Sequence, residues 1–383
     1  MLPLEGVRVL DFSTLLPGPL ASLILAEAGA EVIKVERPGT GEDMRAYEPQ
    51  LGGTAAGFAL LNRGKRAIAL DLRAPGAAQS ILDLAPGVDI VLEQFRPGVM
   101  SRLGLGYENF RAVNPRIVYC ALTGYGQSGP KAQVAGHDLS YSADTGLLSL
   151  AAGADGMPGM PPALIADIGA GTYPAVVNIL LALRRRDASG EGAFLDVAMT
   201  DNLFTFMFWG LAMGNGSGKW PRPGQEQTTG GSPRYRVYRT ADGRYLAVAA
   251  LEDKFWQAFC RIVELPAAWC DDRPDPARSI AEVARRIEAR PAAHWERAFA
   301  GADVCCAVVR TLEEAIRDIH FRARGLFERQ VTLPGHTLPA LPVPVVPNLR
   351  SPREDAAAPA VGADNANLLP SPHGTARSAK SGG

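Results

Sequence analysis

Residues 7–36, VRVLDFSTLLPGPLASLILAEAGAEVIKVE, contain the pattern that decides the fold. A β-branched run over residues 7–12 predicts a strand, and a turn rich in proline follows it. Helix-forming residues 20–28 come next, with Gly29 at the position of a C-terminal cap, and residues 31–36 predict a second strand. A strand, a helix and a strand in this order predict a right-handed crossover between parallel strands.

The alternation of strand and helix signals continues through the first third of the chain. Residues 67–71, 88–93 and 117–122 predict further strands, and residues 77–84 predict a helix. Parallel strands need crossover segments of helical length, and those helices cover both faces of the sheet. This part of the chain therefore predicts an α/β fold with a parallel sheet.

The pattern changes after residue 144. A loop rich in glycine and proline, residues 151–162, precedes a long apolar helix over residues 169–186. A second stretch of this composition, residues 214–232, predicts a domain boundary. The last segment, residues 351–383, has few large apolar side chains, so we expect a tail that is disordered or draped over the surface.

Beyond the predicted boundary the sequence indicates a hairpin followed by helices. Residues 235–238 and 244–250 flank Asp242–Gly243, a dipeptide that is favoured in tight hairpin turns. Residues 279–299 predict mostly helix, and Pro291 predicts a break in it because proline cannot donate a backbone hydrogen bond.

Charge and cysteine content exclude several classes of protein. The 39 Lys and Arg residues against 40 Asp and Glu give a formal net charge of 39 − 40 = −1, which argues against binding to nucleic acid or an anionic membrane. The five cysteines form no C-x-x-C pair, so we expect reduced thiols, and five scattered histidines predict no metal site. No apolar run reaches the ~18 residues of a membrane span. The N-terminus has no basic stretch followed by an apolar one, so we expect no secretory signal and a cytoplasmic location.

Two phosphate-binding motifs are missing from the sequence. A dinucleotide-binding protein would carry G-x-G-x-x-G at the first turn, which here has a single glycine, Gly18, between Pro17 and Pro19. The prolines remove backbone donors from the place where a pyrophosphate would bind. Residues 64–66 lack the upstream glycine and the following Ser or Thr of a P-loop.

Basic residues recur near the predicted strand ends and loops of the first half. They are Arg37, Arg66, Arg96, Arg102 and Lys131. Ligands of parallel sheets bind at the carboxyl ends of the strands, so cations that converge there would suit a polyanionic phosphate ligand. For residues 62–66, NRGKR, a solvated loop is the alternative interpretation. Residues 184–186, three arginines at the end of a predicted helix, are expected to offset the helix dipole.

Three titratable residues are the candidates for acid–base chemistry. His137 lies in AGHDLSY, Asp167 lies in LIADIGAG and Glu252 lies in VAALEDKFW. Each also has a structural interpretation, since Asp167 could be a helix N-cap, Glu252 a carboxylate at a helix start and His137 a loop residue with satisfied hydrogen bonds. Their separation along the chain says nothing about their distance in space.

At these residues the sequence resembles the family III CoA-transferase (CaiB/BaiF) superfamily, which includes the α-methylacyl-CoA racemases. The resemblance runs from LEGVRVLDFS to about residue 327. Its blocks include GPLASLILAEAGAEVIKVERPG, EQFRPGVMSRLGLGYE, NPRIVYCALTGYGQSGP, GHDLSY, ADIGAG and GGSPRYRVYRTADGRYLAVAALEDKFW. Members of this superfamily act on thioesters of coenzyme A (CoA), so the resemblance implies an acyl-CoA substrate.

The branches of the superfamily differ at the active site. The resemblance implies that a transferase would use Asp167 as a covalent nucleophile and would lack a histidine at the position of His137. Racemases have the histidine of a G-H-D motif together with a glutamate at the position of Glu252. This chain has all three residues and so resembles the racemases, with CoA transfer and a catalytically silent CoA-binding protein as alternatives.

The resemblance also implies the architecture and the binding residues. It implies a large Rossmann-like CoA-binding domain over residues 1–200, to which residues 325–383 return. A linker over residues 201–232 and a smaller α+β domain over residues 233–324 would complete a chain that forms an interlocked homodimer. The active site would then lie between the large domain of one subunit and the small domain of the other.

Further site residues follow from the same resemblance. The basic positions named above, together with Asp138, would hold CoA as part of the substrate. Backbone N–H groups near Asp138 or Gly169 are expected to stabilise negative charge on the thioester oxygen. The expected reaction, inversion of the α-carbon of a 2-methylacyl-CoA, needs no metal or separate cofactor.

Overall fold

The computed structural model describes residues 1–153, 157–352 and 355–369. The chain divides into two compact units, each built from discontinuous segments. Unit 1 consists of residues 1–142, residues 164–203 and the chain from Arg322 onward, and unit 2 consists of residues 143–163 and 204–321. The loop over residues 143–163, which the sequence places in the large domain, thus groups with unit 2.

The strands of the described residues are β1 (Arg8–Asp11), β2 (Glu31–Glu36), β3 (Gln50–Leu51), β4 (Thr54–Ala55), β5 (Arg66–Ala69), β6 (Ile90–Glu93), β7 (Val118–Thr123), β8 (Ala193–Ala198), β9 (Tyr235–Arg239), β10 (Tyr245–Ala249), β11 (Cys306–Val308), β12 (Gln330–Leu333), β13 (His336–Pro339) and β14 (Asp355–Ala357).

The α-helices are α1 (Pro17–Glu27), α2 (Ala56–Asn62), α3 (Ala77–Leu82), α4 (Val99–Arg102), α5 (Tyr107–Val113), α6 (Asp138–Asp144), α7 (Tyr173–Ser189), α8 (Met199–Phe206), α9 (Phe208–Ser217), α10 (Asp253–Ile262), α11 (Ala267–Cys270), α12 (Pro276–Glu288), α13 (Ala292–Phe299), α14 (Leu312–Ile316), α15 (Ile319–Ala323) and α16 (Asn365–Leu368). A π-helical segment, Ile165–Thr172, runs directly into α7, and short 3₁₀ turns occur at Asp43–Ala46, Ala85–Gly87, Leu148–Leu150 and Pro347–Leu349.

A six-stranded parallel sheet forms the centre of unit 1, in the order β5-β2-β1-β6-β7-β8. The predicted α/β class and parallel sheet are therefore confirmed. The sixth strand, β8, was not predicted from the sequence. It lies at the edge of the sheet and alternates buried and exposed residues, so it lacks the continuous apolar run of the central strands.

Helix α1 begins earlier than the sequence predicts. Pro17 and Pro19 were assigned to a turn, yet they lie in the first turn of the helix, where a missing N–H removes no hydrogen bond. Gly18 is required between them, because a Cβ atom there would lie 2.1 Å from the Cβ of Ser13. Gly29 follows the helix with a φ of +107°, which confirms its predicted role as a C-terminal cap.

A buried cluster of charges holds the turn between β1 and α1. The Asp11 carboxylate lies 3.3 Å from Nζ of Lys65 and accepts the hydroxyl hydrogen bonds of Ser13 and Ser22. Burial lowers the pKa of Lys65 to about 8, and the charge of Asp11 opposes that shift. Residues 62–66 are therefore not a solvated loop, because the Lys65 ammonium is committed to the protein interior.

Unit 2 is built on a three-stranded antiparallel sheet with the order β11-β10-β9. The predicted hairpin is confirmed, since β9 and β10 pair in antiparallel register on either side of the turn that contains Asp242 and Gly243. The predicted break at Pro291 is also confirmed, because α12 ends at Glu288 and Pro291 is the N-cap of α13. Helices α10, α12 and α13 cover the sheet with an aromatic core that includes Trp256, Phe259 and Trp295.

The long helix predicted over residues 169–186 is confirmed as the continuous segment Ile165–Ser189. By length and composition alone this segment could cross a membrane, a test that the core helices of many proteins also pass. Its buried residues Ala175, Ile179, Ala182 and Arg186 recur at helical spacing, as in a helix that packs on a sheet. It packs against α1, β7 and β8 within unit 1.

The start of the C-terminal segment is folded onto unit 1. Strand β14 pairs in parallel with β12, and the Asp364 carboxylate accepts hydrogen bonds from Arg66 and from the Ala67 N–H. The described residues from 355 to 369 are thus draped over unit 1, one of the two expected alternatives. Residues 353–354 and 370–383 of the predicted tail lie outside the described residues.

We predict that Glu27→Gln destabilises the protein by ~3–5 kcal/mol, measured as the free energy of unfolding in urea. Glu27 ends α1 and binds two arginines, Arg63 at 2.9 Å and Arg329, which follows the return of the chain to unit 1. All three side chains are at most 15% exposed. The substitution leaves two buried guanidinium groups without their carboxylate, which is more costly than losing the attraction alone.

Glu31→Gln is the matched control for this prediction. Glu31 also binds two arginines, Arg8 and Arg66, but the three side chains are 32–40% exposed. Water screens such pairs, so we expect a loss of about 1 kcal/mol or less. Equal losses for the two substitutions would contradict the importance of burial at Glu27.

Candidate active site

The candidate site in unit 1 is assembled from segments that leave the carboxyl ends of β1, β6 and β7. The Gly18 N–H at the start of α1 donates to the Gln94 side chain that follows β6, at 3.1 Å. The Gln133 amide in the loop after β7 donates to the Pro97 carbonyl, also at 3.1 Å. Because the strands are parallel, these loops all leave the side of the sheet where the strands have their carboxyl ends, which we call the carboxyl edge.

Asp138 joins the loop after β7 to the π-helical segment. It is buried at the start of α6, and one of its carboxylate oxygens accepts the backbone N–H of Ala166 at 2.6 Å and that of Asp167 at 3.0 Å. These donors lie at a helix start and lack partners within their own helix. The Asp138 side chain therefore fixes the backbone on which Asp167 sits, and its predicted contact with CoA stays a prediction.

Asp167 is half-buried in the π-helical segment, and the N-cap of that segment is Leu164. The alternative interpretation of Asp167 as a helix N-cap is therefore not what the structure shows. Burial and the neighbouring charge of Asp138 together raise the pKa of Asp167 to about 6, against the opposing effect of the His137 cation. A carboxyl group with this pKa exchanges its proton near neutral pH, as a general acid or base must.

His137 precedes α6 and has a tightly held backbone. Its N–H donates to the Ser140 hydroxyl at 2.8 Å, and that hydroxyl donates back to the His137 carbonyl at 2.7 Å. The imidazole is exposed, and the hydrogen bonds of the described residues include none from its ring nitrogens. The next residue, Asp138, accepts the Asp167 N–H at 3.0 Å, so His137 and Asp167 lie on neighbouring segments.

Tyr141 belongs to the same cluster and was not among the predicted site residues. Its hydroxyl donates to the Gly136 carbonyl at 2.7 Å, and a Cβ atom on Gly124 or Gly136 would lie 2.4 Å from its ring. Burial raises the pKa of Tyr141, as does the charge of Asp167, whereas Arg96 lowers it. The two glycines that make room for this ring are the signal in the sequence that could have identified it.

The predicted basic residues fall into two groups. Arg37 donates to the Gly41 carbonyl at 3.0 Å and pairs with Asp43 in the loop after β2. Arg96 and Arg102 are exposed in the segment after β6, and Lys131 lies 5.6 Å from the ring of Tyr125 in the loop after β7. The segments that carry these four residues leave the carboxyl edge of the sheet.

Arg66 is placed differently, because it is the first residue of β5 and so lies at the amino end of that strand. Its guanidinium is paired with Glu31 at 2.7 Å and with Asp364 at 2.9 Å. These pairs fasten the C-terminal segment to the sheet. The structure thus gives Arg66 a role in folding, and its predicted contact with CoA stays a prediction.

Glu252 lies in unit 2, at the N-cap of α10. Its backbone has the extended conformation of a cap residue, but its side chain forms no capping hydrogen bond and is exposed. The carboxylate of Glu252 is therefore not used by its own helix. In residues 1–153, 157–352 and 355–369, no group of three or more His, Cys, Asp or Glu side chains is arranged to hold a metal ion.

The chain matches the family described as CoA-transferase family III over residues 4–365. An alpha-methylacyl-CoA racemase of Homo sapiens is 34% identical over 360 residues, which cover 91% of this chain and 89% of the relative. A succinyl-CoA:glutarate CoA-transferase of Mus musculus is 33% identical over 338 residues, which cover 85% and 76% of the two chains. These two identities are too close to separate racemase from transferase.

Solved structures have the same fold. A crystal structure of a Mycobacterium tuberculosis protein superposes with a TM-score of 0.83 at 30% identity, over 97% of this chain and 99% of the other. A CaiB/BaiF family protein from Brucella suis gives a TM-score of 0.81 at 27% identity, over 95% and 98% of the two chains. With this fold, and with a family match along nearly its whole length, the chain belongs to CoA-transferase family III, whose relatives include both racemases and CoA-transferases.

Proposed function

We propose that this protein is a racemase or epimerase that inverts the α-carbon of 2-methylacyl-CoA thioesters. The observation that carries the proposal is the proximity of His137 to Asp167, whose backbone is held by the residue after His137 and whose pKa is raised to about 6 by burial and by Asp138, against the effect of His137. A carboxyl group with this pKa gains and loses a proton near neutral pH, and an imidazole is a common general acid or base. The similarity to the alpha-methylacyl-CoA racemases of Homo sapiens and Mus musculus, 34% and 36% identical, supports the same activity.

In the proposed reaction, His137 and Asp167 act on opposite faces of the α-carbon. One group removes the α-proton and leaves an enolate, and the other group donates a proton to the opposite face. In the reverse direction the roles exchange, so the site must bind both enantiomers. Only protons move and no electrons are transferred, so the reaction needs no redox cofactor.

The enolate needs stabilisation beyond the two proton-transfer groups. Positioned acid–base catalysis accelerates a reaction about 10²–10⁴-fold. One hydrogen bond to a developing oxyanion stabilises the transition state by a further ~3–4 kcal/mol. The Asp138 N–H is the first of α6, where backbone donors have no partner within the helix. We propose that this N–H donates a hydrogen bond to the thioester oxygen. The bond is strongest when that oxygen carries the negative charge of the enolate.

We propose that the basic residues at the carboxyl edge bind the CoA part of the substrate. Arg37, Arg96, Arg102 and Lys131 lie on segments that leave this edge, and their charges suit the phosphates of CoA. Glu252 of a second copy of the chain is proposed to accept a hydrogen bond from the His137 imidazole and so fix its tautomer. That assignment is consistent with a Glu252 carboxylate that does not cap its own helix.

CoA transfer between carboxylic acids is the second candidate function. It is favoured by the 33% identity with a succinyl-CoA:glutarate CoA-transferase of Mus musculus. The Asp167 carboxylate would attack the thioester carbonyl and release CoA as a thiolate. That thiolate would attack the Asp167 carbonyl of the resulting anhydride, form a thioester on Asp167 and release the donor carboxylate. The acceptor carboxylate would then attack this thioester and release the thiolate, which would cleave the second anhydride at the acceptor carbonyl to give the new acyl-CoA and free Asp167. This reaction does not need His137.

We predict that the protein exchanges the α-proton of both enantiomers of a 2-methylacyl-CoA with deuterium in D₂O. His137→Ala should abolish inversion and stop exchange from the enantiomer whose α-proton faces the imidazole. Mass spectrometry of each purified enantiomer measures the exchange rates. A His137→Ala protein that exchanges both enantiomers normally would remove His137 from the mechanism.

We predict a pH dependence that follows the raised pKa of Asp167, about 6. Asp167 must be ionised to remove a proton, so kcat/KM for deuterium exchange from the enantiomer that it deprotonates should fall about tenfold per pH unit below its pKa and level off above. An aspartate with an ordinary pKa near 3.9 would give a flat profile over this range. A profile that stays flat down to about pH 4.5 would therefore contradict the assignment of Asp167 as this base.

We predict that no CoA–protein adduct forms when the protein is incubated with acyl-CoA and then denatured. Intact-mass measurement detects a thioester on Asp167, with Asp167→Asn as the matched control. An adduct present in the parent and absent from the Asp167→Asn variant, together with no deuterium exchange, would establish the transferase reaction instead.

A further inference from the structure

The loop that carries Glu252 is held from outside its own helix by Arg234. Nη1 of Arg234 donates to the Leu251 carbonyl at 3.1 Å and to the Asp253 carboxylate at 2.6 Å. These are the residues immediately before and after Glu252. Arg234 lies just before β9, within unit 2, so all of these contacts lie inside that unit.

The Arg234 guanidinium is itself held on two further sides. Its Nε and Nη2 donate to the Asp272 carboxylate at distances of 2.8–3.1 Å, and its carbon Cζ lies 5.4 Å from the ring centre of Trp256. The side chain of Arg234 is only 12% exposed, and that of Asp272 is 9% exposed. A planar guanidinium with a buried partner keeps one orientation, which a lysine ammonium at this place could not do.

Helix α10 alone does not fix the Glu252 side chain. The Glu252 carbonyl accepts the Trp256 N–H at 3.0 Å, which ties the backbone to the first turn, but the Glu252 side chain forms no capping bond. The Asp253 carboxylate is 85% exposed, so its pair with Arg234 would be weak if Arg234 were also exposed. The buried Asp272–Arg234 pair provides a fixed point from which both neighbours of Glu252 are held.

We propose that Arg234 is a positioning residue for Glu252, acting through the backbone of residues 251–253. The inference rests on the proposed function, in which the Glu252 carboxylate orients the His137 imidazole. Arg234 contacts neither the substrate nor the reacting atoms. Its removal lets the Glu252 carboxylate drift from its productive position, and a misplacement of about 1 Å can reduce a rate by 10²-fold.

A positioning role of Arg234 predicts unequal effects on the exchange rates of the two enantiomers, which a loss of overall stability would not cause. Glu252 acts on His137 and not on Asp167. Loss of Arg234 therefore slows deuterium exchange from the enantiomer that depends on His137, and it leaves exchange from the other enantiomer nearly unchanged. A destabilised protein would lose both rates in the same proportion.

We predict that Arg234→Lys lowers kcat for deuterium exchange from the enantiomer that depends on His137 by about tenfold or more, with KM changed less than about twofold. Asp253→Ala is the milder variant, because it removes one exposed partner of Arg234 and leaves no buried charge unpaired; we expect a smaller loss of the same kind. Arg244→Ala is the control in unit 2. Arg244 lies just before β10, as Arg234 lies just before β9, but it donates to the Val309 carbonyl at 3.2 Å and to Glu314 at 2.8 Å and not to the residues beside Glu252. It should leave both rates unchanged.

A double-mutant comparison shows whether Arg234 acts through Glu252. In a Glu252→Gln background, Arg234→Lys should cause no further loss of the rate that depends on His137, because the interaction it supports is already gone. Additive losses, equal losses for both enantiomers, or a folded Arg234→Lys protein with parental rates would each overturn the inference while leaving the proposed function in place. A parent protein that exchanges neither enantiomer contradicts the proposed function and this inference together.

Discussion

The parallel direction of the six strands in unit 1 is the constraint on which the rest of that unit depends. Parallel strands all end at the same edge, so the loops that follow β1, β6 and β7 meet there, and Asp138 links the last of them to the segment that carries Asp167. The Asp11 carboxylate at the end of β1 is fully buried, so it needs a partner of opposite charge. The pair of Asp11 with Lys65 satisfies that requirement beneath α1.

The surroundings of Glu27 and of Asp167 show two different treatments of a carboxylate in unit 1. Glu27 has two arginines, whereas Asp167 has a second carboxylate, Asp138, as its neighbour. The Asp138 oxygen that accepts the Asp167 N–H fixes the position of Asp167, and its charge contributes to the raised pKa of the same residue. One side chain thus provides both geometry and electrostatics, which is the combination expected where a carboxyl group must exchange a proton near neutral pH.

A carboxyl group held in this way is compatible with both reactions known among the relatives. As a base it needs a raised pKa and a partner on the other face of the carbon, whereas as a nucleophile it needs access to a thioester carbonyl. His137 is the residue that separates the two possibilities, because only proton transfer gives an imidazole beside Asp167 a part in the reaction. Glu252, which belongs to unit 2, is proposed to orient the His137 imidazole for this proton transfer.

The sequence by itself determined the features that depend on neighbouring residues: the alternation of strands and helices, the hairpin at Asp242–Gly243 and the helix break at Pro291. It also singled out His137 and Asp167 as candidates, through motifs rather than through geometry. Tertiary structure alone decided which polar groups are buried and with what. Arg66 pairs with Asp364, 298 residues away, and Asp138 binds the N–H of Asp167, 29 residues away. Local patterns record backbone preference and periodicity over a few residues, whereas the burial of a charge and its pKa depend on segments that only the folded chain brings into contact.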